Sequence, residues 1–191
     1  MIIAKVGEPA PDFDLPVFDP ADPGNTRLRA SLSGYRGDWL IFYYYPMDFT
    51  FVCPTEILAF AEHQAEFEEL GAKLLGCSTD TIYTHHAWAE TPRDKNGIAG
   101  TNYPLAADHS GEVARRYGIL IEEEHAALRG LFIIDPGGVL QYAVIHSLNI
   151  GRSTEETRRV LEALQTGGLC ASNWKPGGKT LQVPEEQKRA A

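Results

Sequence analysis

Seven consecutive apolar or aromatic residues, Trp39-Leu40-Ile41-Phe42-Tyr43-Tyr44-Tyr45, run straight into Pro46. A run this short, without polar alternation, suits a strand buried on both faces at the centre of a sheet. Proline has no N–H for the next ladder bond, so the strand must end there. Past Pro54 the pattern changes period. Ile57, Phe60, Ala61, Gln64, Phe67 and Leu70 recur at helical spacing, with Glu62, Glu66, Glu68 and Glu69 opposite, until Gly71 stops the helix. A central buried strand joined by a short turn to an amphipathic helix is the opening move of an α/β fold.

The rest of the chain keeps that alternation. Residues 72–78 read as a second strand, 84–90 as a short helix, and 93–102 as a polar loop carrying Gly97 and Gly100. A brief strand at 104–107 leads into a helix near 111–117. Leu131-Phe132-Ile133-Ile134 and residues 139–146 flank Asp135-Pro136-Gly137-Gly138, which reads as a hairpin turn. Ser153-Thr154-Glu155-Glu156 is a capping box opening a last helix, with Thr157, Val160, Leu161 and Leu164 on one face and Gly167-Gly168 at its end. Ahead of the central strand, the segment through Asn25 is rich in Pro, Asp and Gly and reads as an extended arm with a short hairpin. The order predicts an α/β fold with a mixed central sheet flanked by helices, compatible with a thioredoxin-like core bearing an N-terminal hairpin extension. Residues 1–167 are expected to form one domain. Residues 168–191 read as a polar, irregular and mobile tail of the same unit.

Charge and composition narrow the function. A formal net charge of -9 argues against a nucleic-acid surface, which needs clustered Lys and Arg. No apolar run approaches the roughly 20 residues of a membrane span. The opening residues Met1 to Glu8 lack a signal-peptide core, so a cytoplasmic protein is expected. The three cysteines, Cys53, Cys77 and Cys170, are too few and odd in number for a secreted disulfide framework.

Cys53 falls at or beside the first turn of the helix after the central strand. Unpaired N–H groups there favour a thiolate over a thiol. Pro54 suits a helix start, and Thr50 can bring a hydroxyl near the sulfur. Spacing alone leaves two readings open: a reactive thiolate, or a cysteine packed inertly under a helix start. Cys170, in a polar and glycine-flanked stretch beyond the last helix, is badly placed for core packing and well placed to meet another thiol. Cys77 ends a buried strand and reads as structural. The adjacent His85-His86 lack the spacing of metal ligands on a helix and read as a solvated helix feature. No Cys-x-x-Cys pair is present, which counts against a thiol–disulfide oxidoreductase.

Residues 46–56, Pro46-Met47-Asp48-Phe49-Thr50-Phe51-Val52-Cys53-Pro54-Thr55-Glu56, resemble the peroxiredoxin signature in its extended form. That form is similar to the typical two-cysteine branch, which includes the peroxidase subunit of bacterial alkyl hydroperoxide reductase. The resemblance continues through Ser78-Thr79-Asp80-Thr81, Ala87-Trp88, Tyr103-Pro104-Leu105, Ala107-Asp108, residues 128–135 and Gly151-Arg152-Ser153. It implies a peroxidase in which Cys53 attacks the peroxide, Thr50 hydrogen-bonds sulfur and substrate, and Pro46 shields the site from water. Arg129 would stabilise the thiolate and the oxygens, Glu56 and Arg152 would hold Arg129 in place, and Tyr45 would line the pocket.

Residues 169–179, with Asn173-Trp174-Lys175-Pro176-Gly177 intact, resemble the segment of the resolving cysteine, although Ala171 and Ser172 replace the usual Pro and Ala. Cys170 is thereby implied to close a disulfide with Cys53 of a neighbouring subunit, which requires a homodimer and suggests a ring of five dimers. Hydroperoxides would be the substrates. Thioredoxin or a flavoprotein disulfide reductase would be the electron donor, with no metal or organic cofactor. Relatives prone to over-oxidation carry a Gly-Gly-Leu-Gly loop and a C-terminal Tyr-Phe helix. Asn96-Gly97-Ile98-Ala99-Gly100 and a tail without aromatics after Lys179 imply resistance here. A different class of role, a holdase chaperone or oligomeric scaffold, would not require Cys53.

Overall fold

The computed structural model describes residues 4–182; the readings at residues 1–3 and 183–191 lie outside the described residues. The chain divides into two compact units between Arg152 and Ser153.

The first unit is organised on one mixed sheet. A hairpin of β1 (Asp14–Phe18) and β2 (Arg29–Ser31) comes first. The central strand β3 (Trp39–Tyr44) leads to α1 (Cys53–Glu62), α2 (Gln64–Glu69) and β4 (Ala72–Ser78). Next come α3 (Ile82–Glu90), β5 (Leu105–Ala107), α4 (Glu112–Arg116) and a small hairpin of β6 (Leu120–Ile121) and β7 (Ala126–Ala127). β8 (Arg129–Ile134) and β9 (Leu140–His146) close the sheet, whose order is β2-β1-β5-β4-β3-β8-β9. The pairs β3–β4 and β4–β5 are parallel and the others in this sheet antiparallel, as the mixed α/β plan requires.

Residues 40–44 of β3 are all buried, because both faces of the strand are covered. Leu40, Phe42 and Tyr44 share a core with Phe13, Tyr117 and Phe132; the rings of Phe13 and Phe42 stack at 4.7 Å. On the other face Tyr43 stacks on Phe60 of α1 at 4.7 Å. Burying each such side chain fully stabilises the fold by roughly 1.5–3 kcal/mol, which is why an unbroken apolar run fixes the sheet centre. Gly76 makes room for this packing. It lies opposite Tyr43 in the β3–β4 register, and a Cβ there would come within 2.9 Å of the Tyr43 hydroxyl.

Three details differ from the sequence reading. The helix after Pro54 does not run unbroken to Gly71 but is interrupted at His63, whose Nδ1 approaches the carbonyl of Ala59 at 2.8 Å while its backbone leaves the helical region. A side chain competing for a helix carbonyl is a local reason for the break. The two-residue strands β6 and β7 are too short to carry an alternation and were not anticipated. His85 is fully buried rather than solvated. Adjacent helical residues point about 100° apart, so His85 faces inward while His86 stays partly exposed beside Glu90 at 3.4 Å.

In the second unit α5 (Thr154–Gln165) starts at Ser153, whose hydroxyl accepts from the Glu156 N–H at 3.1 Å. Only this half of the capping box forms, since Glu156 directs both carboxylate oxygens to Arg159 at 2.6 and 2.8 Å. Gly167 adopts φ +62 just past the helix, the left-handed geometry of a glycine cap. Beyond it, residues 169–182 hold local order: Leu169 bridges Leu181, and the Trp174 indole N–H donates to the carbonyl of Gly178 at 3.0 Å.

Candidate active site

Cys53 is the first residue of α1, fully buried, with Pro54 in the first helical turn and no side-chain cap on Val52. Glu56 lies one turn further on and therefore on the same side of the helix. Register brings in the third partner. Leu131 of β8 pairs with Tyr43 of β3, so Arg129, two residues earlier in the antiparallel strand, projects beyond the end of β3 where α1 begins.

The Arg129 Nη1 donates to Cys53 Sγ at 3.3 Å and to Glu56 Oε2 at 2.6 Å, while its Nε donates to the carbonyl of Leu148 at 2.7 Å. Arg152 completes the cluster. Its backbone N–H and Nε both donate to Glu56 Oε1, at 2.8 and 2.7 Å, and its Nη1 reaches the carbonyls of Tyr44 and Gly130, each at 2.7 Å. The guanidinium lies over the Tyr43 ring, 5.1 Å from the centroid. Among the described residues, Arg152 Nη2 is buried without a hydrogen-bond partner. Two buried guanidiniums and one carboxylate leave a formal excess of one positive charge beside the sulfur. Such a site suits a sulfur nucleophile and an oxidant whose oxygens develop negative charge.

The turn between β3 and α1 adjoins this cluster. Pro46 is buried, and the Thr50 hydroxyl donates to the carbonyl of Met47 at 2.9 Å. Tyr45 enters a different set of contacts: its hydroxyl donates to Asp48 Oδ1 at 2.8 Å and lies 3.3 Å from His85 Nδ1. Cys53, Glu56, Arg129 and Arg152 are thus joined directly, Pro46 and Thr50 belong to the adjoining turn, and Tyr45 bonds behind it. Cys170 belongs to the second unit. Its partly exposed sulfur lies 3.5 Å from Thr166 Oγ1 and 3.7 Å from the carbonyl of Ala163. Cys77 is fully buried, and burial pushes its thiol well above the ordinary range, as befits a structural cysteine.

The burial of Asp48 and His85 is not read from the sequence, which takes His85 with His86 as a solvated pair. Asp48 lies inside the motif around Cys53, but nothing in the local pattern says that a charged turn residue will be buried. His85 gave one usable signal: it stands three residues before Trp88, on the same side of a short helix and so facing the core with it. Among the described residues, no group of three or more His, Cys, Asp or Glu gathers as a metal site would require.

A buried thiol at a helix start, held by an arginine on a mixed α/β sheet, defines a thiol-based redox enzyme. The model of the AhpC/TSA family matches residues 6–143, and the chain belongs to that family as a peroxiredoxin, a thiol-dependent peroxidase of thioredoxin fold. It is 54% identical over 177 residues to the Bacillus subtilis protein YkuU, a peroxiredoxin by name, covering 92% of this chain and 97% of that one. It is 45% identical over 183 residues to a thioredoxin peroxidase of Echinococcus granulosus, covering 94% and 93%. The reduced 2-Cys peroxiredoxin of Plasmodium vivax superposes with a TM-score of 0.88 at 34% identity, covering 95% of this chain and 94% of the other.

Proposed function

We propose that this peroxidase reduces hydrogen peroxide and organic hydroperoxides through Cys53, and that Cys170 of a second copy closes the catalytic disulfide. The observation that carries the reading is the 3.3 Å contact between Arg129 Nη1 and the Cys53 sulfur at the first residue of α1. The Cys53 thiolate attacks the terminal peroxide oxygen, the O–O bond breaks, and the leaving oxygen takes a proton to become water or an alcohol. Sulfur is oxidised to a sulfenic acid. The positive charge of Arg129 opposes the build-up of negative charge on the oxygens, and Glu56 with Arg152 fixes the guanidinium in place. Thr50 orients the peroxide, Pro46 keeps water away, and Tyr45 supports the wall of the pocket.

A buried sulfenic acid must then be exposed, so the start of α1 unwinds. The Cys170 thiol gives up its proton and its sulfur attacks the Cys53 sulfur; the S–O bond breaks, the leaving hydroxide takes a proton to become water, and an S–S bond remains. A dithiol reductant, thioredoxin or a flavoprotein disulfide reductase, restores both thiols by exchange. The balance closes without a metal or organic cofactor. The thioredoxin peroxidase among the relatives supports the first class of reductant. An intersubunit disulfide implies at least a homodimer, and a ring of five dimers is the larger assembly proposed. The small, odd number of cysteines fits a cytoplasmic setting, and resistance to over-oxidation is proposed from the loop at residues 96–100.

Non-reducing electrophoresis after one equivalent of H2O2 tests the scheme. Wild type should migrate as a disulfide-linked dimer, whereas Cys53→Ser and Cys170→Ser should not. Cys170→Ser should still consume one equivalent of peroxide. Undiminished turnover by Cys53→Ser would end the assignment.

A further inference from the structure

The turn carrying Pro46 and Thr50 is poorly held by its own backbone. Phe49 has φ 55, a left-handed conformation that costs a residue with a Cβ roughly 1–2 kcal/mol. Its side chain is half exposed and can recover only part of that. Contacts to other elements must hold it: the Asn96 side-chain amide donates to the Thr50 carbonyl at 2.7 Å at one end, and the residue before Phe49 anchors the other. Asp48 is buried, and its backbone N–H donates to Asp80 Oδ2 at 2.9 Å. One carboxylate oxygen accepts from the Tyr45 hydroxyl at 2.8 Å, and the other lies 2.7 Å from His85 Nδ1. His85, fully buried on α3, presents its other nitrogen to the carbonyl of Ala106 on β5 at 3.1 Å.

Proton counting makes this chain directional. A carbonyl only accepts, so His85 Nε2 carries a hydrogen. The 2.7 Å contact at Nδ1 then holds one further proton between the imidazole and the carboxylate. The end of β3, the turn, α3 and β5 are thereby tied through one buried pair. Burial raises the Asp48 carboxyl while the hydrogen bond and charge of His85 pull it back, and Asp80 is the other charged group acting on it.

We propose that Asp48 and His85 are positioning residues for the peroxidase reaction: they fix the turn so that Thr50 and Pro46 meet the peroxide, without touching it or the sulfur. The inference rests on Cys53 being the peroxidatic thiol. It predicts a division between two reactions of the same sulfur. Asp48→Ala removes both carboxylate bonds and lets the turn drift; a displacement of about 1 Å at a reacting group costs on the order of a hundredfold in rate. Alkylation of Cys53 by iodoacetamide needs the sulfur and Arg129 but not Thr50, and should change by less than about threefold, since the Arg129 contact is untouched. His85→Gln, whose amide cannot serve both Asp48 and Ala106, should lose roughly tenfold toward H2O2 with alkylation equally spared. Asp48→Asn can donate to a neutral His85 and accept from Tyr45, and should recover most of the peroxide rate.

The experiment is stopped-flow H2O2 reduction and iodoacetamide labelling on the reduced full chain, with Cys170→Ser as a common background. If Asp48→Ala fails to fold, His85→Gln against Asp48→Asn decides. His85→Gln reacting with H2O2 at the parent rate, or losing both reactions in parallel, would overturn the proposal. A parent protein that consumes no peroxide through Cys53 would instead remove the reading beneath it.

Discussion

Replacing Glu56 by Ala should be among the most damaging single substitutions in this protein. Glu56 receives three charge-assisted or backbone donations, from Arg129 Nη1 at 2.6 Å, Arg152 Nε at 2.7 Å and the Arg152 backbone N–H at 2.8 Å. Its carboxylate is the only anion bridging Arg129 and Arg152 among the described contacts, and all three side chains are within a few percent of full burial. Alanine leaves Arg152 buried without its carboxylate partner and Arg129 with only the Cys53 sulfur beside it. Removing one partner of a buried ion pair costs about 3–5 kcal/mol, which for a chain of this length lowers the melting temperature by about 6–20 °C. A weaker outcome is expected from a surface pair, where the median is below about 1 kcal/mol. Differential scanning calorimetry of the reduced protein at one fixed concentration separates the two. The peroxide rate should fall as well, because Arg129 loses the partner that aims it at Cys53. A melting temperature within about 3 °C of wild type, corresponding to roughly 1 kcal/mol, would show that Glu56 is not the keystone inferred here.

Three further outcomes follow from other parts of the structure. Gly76→Val places a Cβ within 2.8 Å of Leu105 Cδ2 and 2.9 Å of the Tyr43 hydroxyl, and should destabilise by about 1–3 kcal/mol in urea melts; an unchanged midpoint would contradict the packing at the sheet centre. Cys77, buried and with its thiol raised by desolvation, should resist thiol reagents at pH 8 until denaturant is added, so rapid labelling in the native protein would count against its structural role. The Glu156 carboxyl is held low by its hydrogen bonds from Arg159. A group depressed in the folded state stabilises above its unfolded value, about 4.3, and that contribution is lost as pH falls through the folded value. Glu156→Gln should therefore trail wild type by about a few tenths of a kcal/mol at pH 7, screened as an exposed pair must be, and the gap should close toward pH 3; a gap that widened in acid would reverse the sign.

The sequence carried the sheet centre and the helix starts because those depend on short-range rules. An apolar run ended by proline marks β3, and Ser153 three residues before Glu156 marks the start of α5. The arginines of the Cys53 cluster were legible in another way: Arg129, which meets the sulfur, and Arg152, which meets Glu56, stand far along the chain, and only a whole-motif resemblance named them before the β3–β8 register placed Arg129 in space. What stayed hidden was decided by orientation across elements. His85 and His86 have the same side chain and adjacent positions, yet one is sealed against Asp48 and the other is partly exposed. The three-residue spacing from His85 to Trp88 is the one signal that separates them, and a single spacing in a nine-residue helix is too little to carry the assignment. The interruption at His63 was hidden for a similar reason, since its cause is a histidine competing for a carbonyl rather than a glycine or proline.

These observations bear on how α1 can be both exact in position and able to open. At ten residues it is below the roughly 12–15 needed for an isolated helix to persist in water. It also begins without a side-chain cap, where a capping residue would contribute about 1 kcal/mol. Local sequence therefore supplies little of its stability. Its first turn is held instead by tertiary contacts: Glu56 to the two arginines, and Ile57 and Phe60 in the core beneath. A helix stabilised this way has no gradual fraying route. The turn at Cys53 stays formed while the Glu56 contacts hold, and it has little reason to remain helical once they break. For an enzyme proposed to bury its sulfur for one step and expose it for the next, stability placed in a breakable cluster is more useful than stability placed in the helix itself. Weakening the cluster by Glu56→Gln would test this. It should lower the melting temperature, yet speed formation of the Cys53–Cys170 disulfide once the sulfur is oxidised. A variant that lost stability and formed the disulfide no faster than wild type would show that opening is governed elsewhere.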